Sequence, residues 1–315
     1  MKQSLKEIYT KLTEKEYRVI APCKIGDKFF FKQAGQYEDI RMDYVNPVLP
    51  AKEWFFPVTE VVMEYKNHLT DKVEVKDVSD LETPSAIIGV RPCDARSLLI
   101  MDKVFSWDYK DDFYLKRRAN TLIVTIACDE QAEGCFCDRF GIGIDSALGA
   151  DILLRKTEDG KFDTAIITEN GKKIFPEEKI IACPESITVK DDKLKKWLDD
   201  NFENDLWKEI SQKCLGCGAC AFVCPTCHCF DIVDEASFNQ GCRIKNWDSC
   251  GFGHFTLHTS GHNPRPSQTE RFRNRIMHKF KYYPDKFNET ACVGCGRCKR
   301  ACPIKMDLKD ILEKI

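Results

Sequence analysis

The chain has 315 residues, 48 basic against 50 acidic, for a formal net charge of −2, and it carries 18 cysteines. So even a balance leaves no electrostatic footprint for DNA or RNA, and nucleic acid is not expected as a partner. No apolar run approaches the roughly 18 residues that cross a bilayer, and the opening MKQSLKEIYTKL is charged throughout, unlike a secretory signal, so a cytoplasmic protein with no membrane association is expected.

In chain order, short apolar and β-branched runs alternate with helical stretches over residues 1–190, which predicts a mixed α/β domain. Strands are expected at 17–22, 28–32, 85–90, 121–127, 151–155 and 163–168, and a helix over Ala95–Phe105. From about Asp191 the texture changes. Leu194, Trp197, Leu198, Phe202, Leu206 and Ile210 recur at helical steps, Phe272, Ile276, Phe280 and Tyr283 form a second apolar face, and Leu308, Ile311, Leu312 and Ile315 a third behind an Asp307 cap. Residues 191–315 therefore read as a mainly helical ferredoxin-like domain, and the whole chain as α+β.

Two segments of that second domain, CLGCGACAFVCP (Cys214–Pro225) and CVGCGRCKRACP (Cys292–Pro303), are complete CxxCxxCxxxCP runs. In a reducing compartment, thiols so grouped are metal ligands rather than disulfide partners. Three thiolates two residues apart wrap one 4Fe-4S cubane, and the fourth, followed by proline, reaches the other cluster. The expected ligand sets are thus crossed: Cys214, Cys217, Cys220 and Cys302 for one cluster, Cys292, Cys295, Cys298 and Cys224 for the other. The glycines Gly216, Gly218, Gly294 and Gly296 suit a backbone that bends closely around sulfide. Zinc also takes four thiolates, but its modules usually use two CxxC pairs across a longer loop. The segment between the two runs reads as helical.

Two further groups are candidates for a third and a fourth cluster. Cys93 and Cys128 each follow directly on an expected strand, with Cys135 and Cys137 close behind. If those strands are parallel neighbours, the thiols emerge at the edge where open α/β sheets bind ligands, and Cys93 lies near a helix N-terminus that favours a thiolate. Cys227, Cys229, Cys242 and Cys250 form the other group, with His228, His254, His258 and His262 nearby; either group could instead be buried thiols that only pack. Cys23 and Cys183 stand alone and read as structural. The basic run Arg271, Arg273, Arg275, His278, Lys279 and Lys281 reads first as a solvated helix face, its functional alternatives being an acidic docking partner or compensation of cluster charge. No GxGxxG fingerprint, Walker A loop, GxSxG elbow or HExxH helix occurs, so no flavin or NAD site is assigned to this chain.

KEWFFP (52–57), GVRPCD (89–94), CFC (135–137), CLGCGACAFVCPTCHCFD (214–231), WDSC (247–250), SGHNPR (260–265) and the final CVGCGRCKRACP together resemble the 4Fe-4S dicluster family. That family contains the A subunit of anaerobic sulfite reductase and the beta subunit of soluble NiFe sulfhydrogenases. The resemblance spans nearly the whole chain. It implies an electron relay between a flavin subunit that handles NAD(P)H and a separate catalytic subunit of the NiFe hydrogenase or sulfite reductase type. The eight ferredoxin cysteines carry over; Cys242 has no place in the family pattern. The alternative function is an iron–sulfur enzyme that reduces a substrate at one of the extra cysteine groups.

Overall fold

The runs SAIIGV and TLIVTI have no polar face to offer water, and both become strands buried along their whole length. The computed structural model describes residues 2–67, 72–76, 81–183 and 191–315. Its strands in chain order are β1 (Lys2–Gln3), β2 (Arg18–Ile25), β3 (Lys28–Gln33), β4 (Thr59–Asn67), β5 (Val73–Lys76), β6 (Ser85–Val90), β7 (Thr121–Ile126), β8 (Ile152–Lys156), β9 (Phe162–Ile166), β10 (Phe230–Ser237) and β11 (Gln240–Trp247). The architecture is α+β.

All the strands expected from the sequence join one seven-stranded sheet of order β1-β9-β8-β7-β6-β2-β3. Its centre is parallel, β2 with β6, β6 with β7 and β7 with β8, and its margins are antiparallel. Successive side chains of a strand point to opposite faces. Ala86 and Ile88 accordingly pack with Ile8 and Leu12 of the helix Leu5–Glu14, whereas Ile87 packs with Ala95, Leu98 and Met101 of the helix Pro92–Phe105. Because β6 and β7 are parallel neighbours, Cys93 and Cys128 leave the sheet at the same edge.

A third core ties the two halves of the chain together. Cys93, Ile100, Phe136, Phe140 and Ile142 pack with Leu194, Leu198, Trp207, Ile276, Phe280, Tyr283, Leu308, Ile311 and Leu312. Asp307 accepts a hydrogen bond from the Lys309 amide and so caps the last helix, Leu308–Lys314. The domain boundary expected after residue 190 lies beside residues 184–190, outside the described residues.

The segment between the cysteine runs departs from the helical expectation. Residues 230–247 form the hairpin β10–β11, which continues through β4 to β5 as a four-stranded antiparallel sheet. In FDIVDEAS nearly every side chain is exposed, so neither a two-residue nor a 3.6-residue apolar period marks it. Pairing with the distant β4 makes the hairpin part of a sheet. Only the later part of the segment is helical: Gln268–Met277, capped by Ser267 and Glu270, runs into a π-helical turn, His278–Tyr282.

Candidate metal centres

The two CxxCxxCxxxCP runs lie against one another. A cavity of about 70 Å³ is lined by Cys214, Cys217 and Cys220 of the first run and by Cys302 and Cys298 of the second, with Gln268, Arg275 and Cys250 completing part of its wall. Cys224, the last cysteine of the first run, is absent from that wall. It lies within electrostatic range of Cys292, Cys295 and Cys298, three members of the second run, and of Cys220 in the first. Burial pushes the Cys292 thiol up to about 12 and raises Cys295 and Cys298 as well. A thiol so enclosed gives up its proton when a metal replaces it.

Short helices Ala219–Phe222 and Arg297–Ala301 follow the turns that carry the first cysteines, and each starts from a glycine in the left-handed region, Gly218 at φ 71° and Gly296 at φ 69°. The demand at Gly294 and Gly296 comes from close protein backbone as well as from φ. A Cβ on Gly294 would meet the Phe136 carbonyl oxygen at 2.4 Å, and one on Gly296 the Gly134 carbonyl oxygen at 2.5 Å. The loop bearing Cys135 and Cys137 is therefore seated directly on the second cysteine run.

That seating closes the second thiol group. Cys93, Cys128, Cys135 and Cys137 all line one cavity of about 300 Å³, together with Arg91, Asn46 and Cys295. Cys93 is buried at the second position of the helix Pro92–Phe105. Cys135 Sγ donates to the Cys295 carbonyl at 3.5 Å and receives Arg300 Nη1 at 3.8 Å, while Gln131 Nε2 reaches Cys137 Sγ at 3.9 Å. Burial raises Cys93 and Cys128, and takes Cys137 up to about 11.

The remaining group comes together without one of its expected members. Cys227 contacts Cys224, and Cys229 contacts Cys250. Cys242 sits in β11 opposite Glu64 and Glu235, five residues from Trp247. At about 3.3 Å per residue it is carried roughly 16 Å up the strand from the Cys229–Cys250 pair. The hairpin that sequence reading missed is what removes it, so Cys242 does not join Cys227, Cys229 and Cys250. His228 packs between Phe105 and His278, and burial takes its pKa down to about 3; His258 and His262 pair with each other on an outer loop.

Among the described residues, no three or more His, Cys, Asp or Glu side chains draw together as ligands of a single metal ion do. Four thiolates about 2.3 Å from one zinc would be so gathered. In a cubane each thiolate binds a different iron, and the thiols stand further apart. The donor set of two interleaved groups, each of four separated thiols, fits 4Fe-4S clusters. Two residues at these sites were not among the expected ligands or basic groups, although Lys52 opens the KEWFFP segment. Lys52 donates to the Cys227 carbonyl at 2.6 Å, and Gln268 Nε2 donates to Cys214 Sγ at 3.3 Å.

Residues 213–306 match the family model described as a 4Fe-4S dicluster domain. Over 95% of its length the chain is 32% identical to sulfhydrogenase 2 subunit beta of Pyrococcus furiosus, covering 92% of that protein. No solved structure matches it. Among the described residues, no helix is long and apolar enough to cross a membrane.

Proposed function

The chain belongs to the 4Fe-4S dicluster family that includes sulfhydrogenase beta subunits, and from that membership we propose that it relays electrons between a flavin- and NAD(P)-binding reductase subunit and a separate catalytic subunit of the NiFe hydrogenase or sulfite reductase type. It is an iron–sulfur electron-transfer subunit of a hydrogenase-type complex. A cytoplasmic location for the complex is part of this proposal.

The observation that carries the reading is the interleaving of the two cysteine runs, with Cys302 on the wall formed by Cys214, Cys217 and Cys220, and Cys224 among Cys292, Cys295 and Cys298. These two sets would hold the two clusters of the dicluster domain. Cys93, Cys128, Cys135 and Cys137 would hold a third. When bound, each cluster takes up or gives up a single electron without a change in its ligands.

The chain's own residues space and insulate these sites. Cys295 lies on the wall of the cavity shared by Cys93, Cys128, Cys135 and Cys137, and Cys298 on the wall shared by Cys214, Cys217, Cys220 and Cys302. The Cys292 group is therefore the middle station of three. Donors such as Gln268 on Cys214 and Arg300 on Cys135 orient the sulfurs, as groups behind metal ligands generally do.

The test is reduction under anaerobic conditions. The purified chain should be bleached by dithionite yet leave NAD(P)H unoxidised, because splitting a hydride into single electrons requires a cofactor such as flavin. Adding the flavin subunit should restore NAD(P)H-dependent reduction. Sustained NAD(P)H oxidation by the flavin-free chain alone would overturn the relay reading.

A further inference from the structure

The basic run on the helix Gln268–Met277 and the π-helical turn after it divides into two kinds of residue. Arg273 and Lys281 reach the surface and find carboxylates, Arg273 at 2.9 Å from Glu203 and Lys281 at 2.5 Å from Asp199 and 2.7 Å from Asp285. Arg275 and Lys279, one turn apart on the inner face, are buried. Arg275 donates to Cys227 Sγ at 3.4 Å and to the Cys220 carbonyl at 2.7 Å. Lys279 Nζ donates to Cys224 Sγ at 3.3 Å, to Thr226 Oγ1 at 3.0 Å and to the Ala291 carbonyl at 2.8 Å. Lys52, also buried, joins them by its bond to the Cys227 carbonyl and lies 4.0 Å over the Trp247 ring.

Among the described residues, none of these three cations is in an ion pair with a carboxylate. The groups whose negative charge favours them are thiols: Cys224, Cys227 and Cys292 for Lys279, and Cys220, Cys227, Cys224 and Cys250 for Arg275. A buried ammonium or guanidinium is costly unless an anion compensates it. A cubane with four thiolates is negatively charged in both of its redox states and supplies that anion.

Arg275 stands on the wall of the Cys214, Cys217, Cys220 and Cys302 cavity and so serves both groups of the dicluster domain, but the contacts made directly to their sulfurs are unequal. Cys217 is exposed, and the side chain reaching Cys214 is the neutral Gln268. Arg297, beside Cys295, is buried too, but both its outer nitrogens are held by Asp94 at 2.5 and 2.6 Å. Among the described residues, Lys279 alone places an unneutralised ammonium on a sulfur, and that sulfur belongs to Cys224.

We propose that Lys279, supported by Lys52, sets the reduction potential of the cluster held by Cys292, Cys295, Cys298 and Cys224 and makes it the electron sink of the dicluster pair, reduced before the cluster held by Cys214, Cys217, Cys220 and Cys302. The inference rests on the crossed ligand sets proposed above. Reduction adds one electron from a one-electron donor, with no bond made or broken. The added negative charge is stabilised by the fixed ammonium, since net charge and hydrogen bonds to sulfur are what tune such clusters. The π-helical turn that carries Lys279 is a local irregularity of the kind often found at functional sites.

The experiment is an EPR-monitored redox titration of the whole chain, with the two signals assigned by Cys224→Ser and Cys302→Ser. In the wild type the signal sensitive to Cys224 should appear first on reduction. Lys279→Gln, with iron content retained, should move that midpoint to a more negative potential and leave the other in place; Lys279→Arg should restore it. Unchanged midpoints in an iron-replete Lys279→Gln protein overturn the proposal, as does a wild type in which the Cys302-sensitive signal appears first. Should Lys279→Gln lose its cluster, Lys52→Met, which touches no sulfur, is read instead: a smaller negative shift of the same signal supports the proposal and no shift overturns it. Iron too low for two clusters in reconstituted wild type removes the functional reading itself, an outcome distinct from unmoved midpoints.

Discussion

Arg297, lying between Cys295 and Cys298 in sequence, grips both carboxylate oxygens of Asp94, the residue after Cys93, at 2.5 and 2.6 Å, and neither side chain is more than 3% exposed. The pair joins the helix that begins at the sheet edge to the helix of the second cysteine run. Two thiol groups are thereby held at a fixed separation.

Breaking that pair by Asp94→Asn leaves a buried guanidinium without its anion. A loss of about 3–5 kcal/mol is expected. Thermal unfolding of anaerobically purified protein should show a correspondingly lower Tm, whereas replacing one partner of the exposed Lys208–Asp205 pair should leave it nearly unchanged. Equal shifts from the two changes would show that the buried pair does not lock the halves together.

Cys302→Ser should disturb the cluster held by Cys214, Cys217 and Cys220, and Cys224→Ser the one held by Cys292, Cys295 and Cys298, each at a cost of up to about four irons per chain. Site-resolved EPR or Mössbauer spectra check this. Damage from Cys302→Ser confined to the Cys292 group would contradict the crossed sets.

Reconstituted wild type should hold roughly twelve irons per chain if the Cys93, Cys128, Cys135 and Cys137 cavity takes a cubane, and Cys135→Ser should remove about four of them while sparing the dicluster signals. Gly294→Ala should weaken the same site, because its Cβ would collide with the Phe136 carbonyl and its φ of 60° suits glycine. A wild-type value near eight would return the four thiols to ordinary packing.

Burial raises the Glu53 carboxyl to about 7, against the opposing pull of Lys32, Arg297 and Lys52. The folded state therefore binds more protons than the unfolded state between the ordinary carboxylate value, about 4.5, and about 7. Its contribution is fully present below that window and is lost as the pH rises through 7. Glu53→Gln should flatten this part of the stability curve, measured as the difference in Tm from wild type at pH 5 and at pH 8. An identical pH dependence in the two proteins would rule Glu53 out as the titrating group.

Much of this protein could be read from local pattern. TLIVTI and SAIIGV announce buried parallel strands because an all-apolar run has no other use in a sheet, and the cysteine spacings name their chemistry because a cubane demands ligands within one short turn. The helix faces of Leu194, Phe272 and Leu308 follow from the 3.6-residue period, and all three are buried. The expected parallel neighbours β6 and β7 do deliver Cys93 and Cys128 to one edge.

What the pattern did not contain is set by partners far away in the chain. β10 is exposed along nearly its whole length and marks no buried face, and it is β4 that completes the sheet through β11, which in turn withdraws Cys242 from Cys229 and Cys250. The basic run looks uniform, yet Arg273 and Lys281 meet carboxylates while Arg275 and Lys279 face sulfur. Lys52 comes from a segment with no cysteine at all. Ligand type and most of the helices and strands depend on neighbours within a few residues, so sequence alone determined them; the β10–β11 hairpin, burial, counter-charge and the membership of each thiol group depend on which distant surfaces meet, and only the tertiary structure decided those.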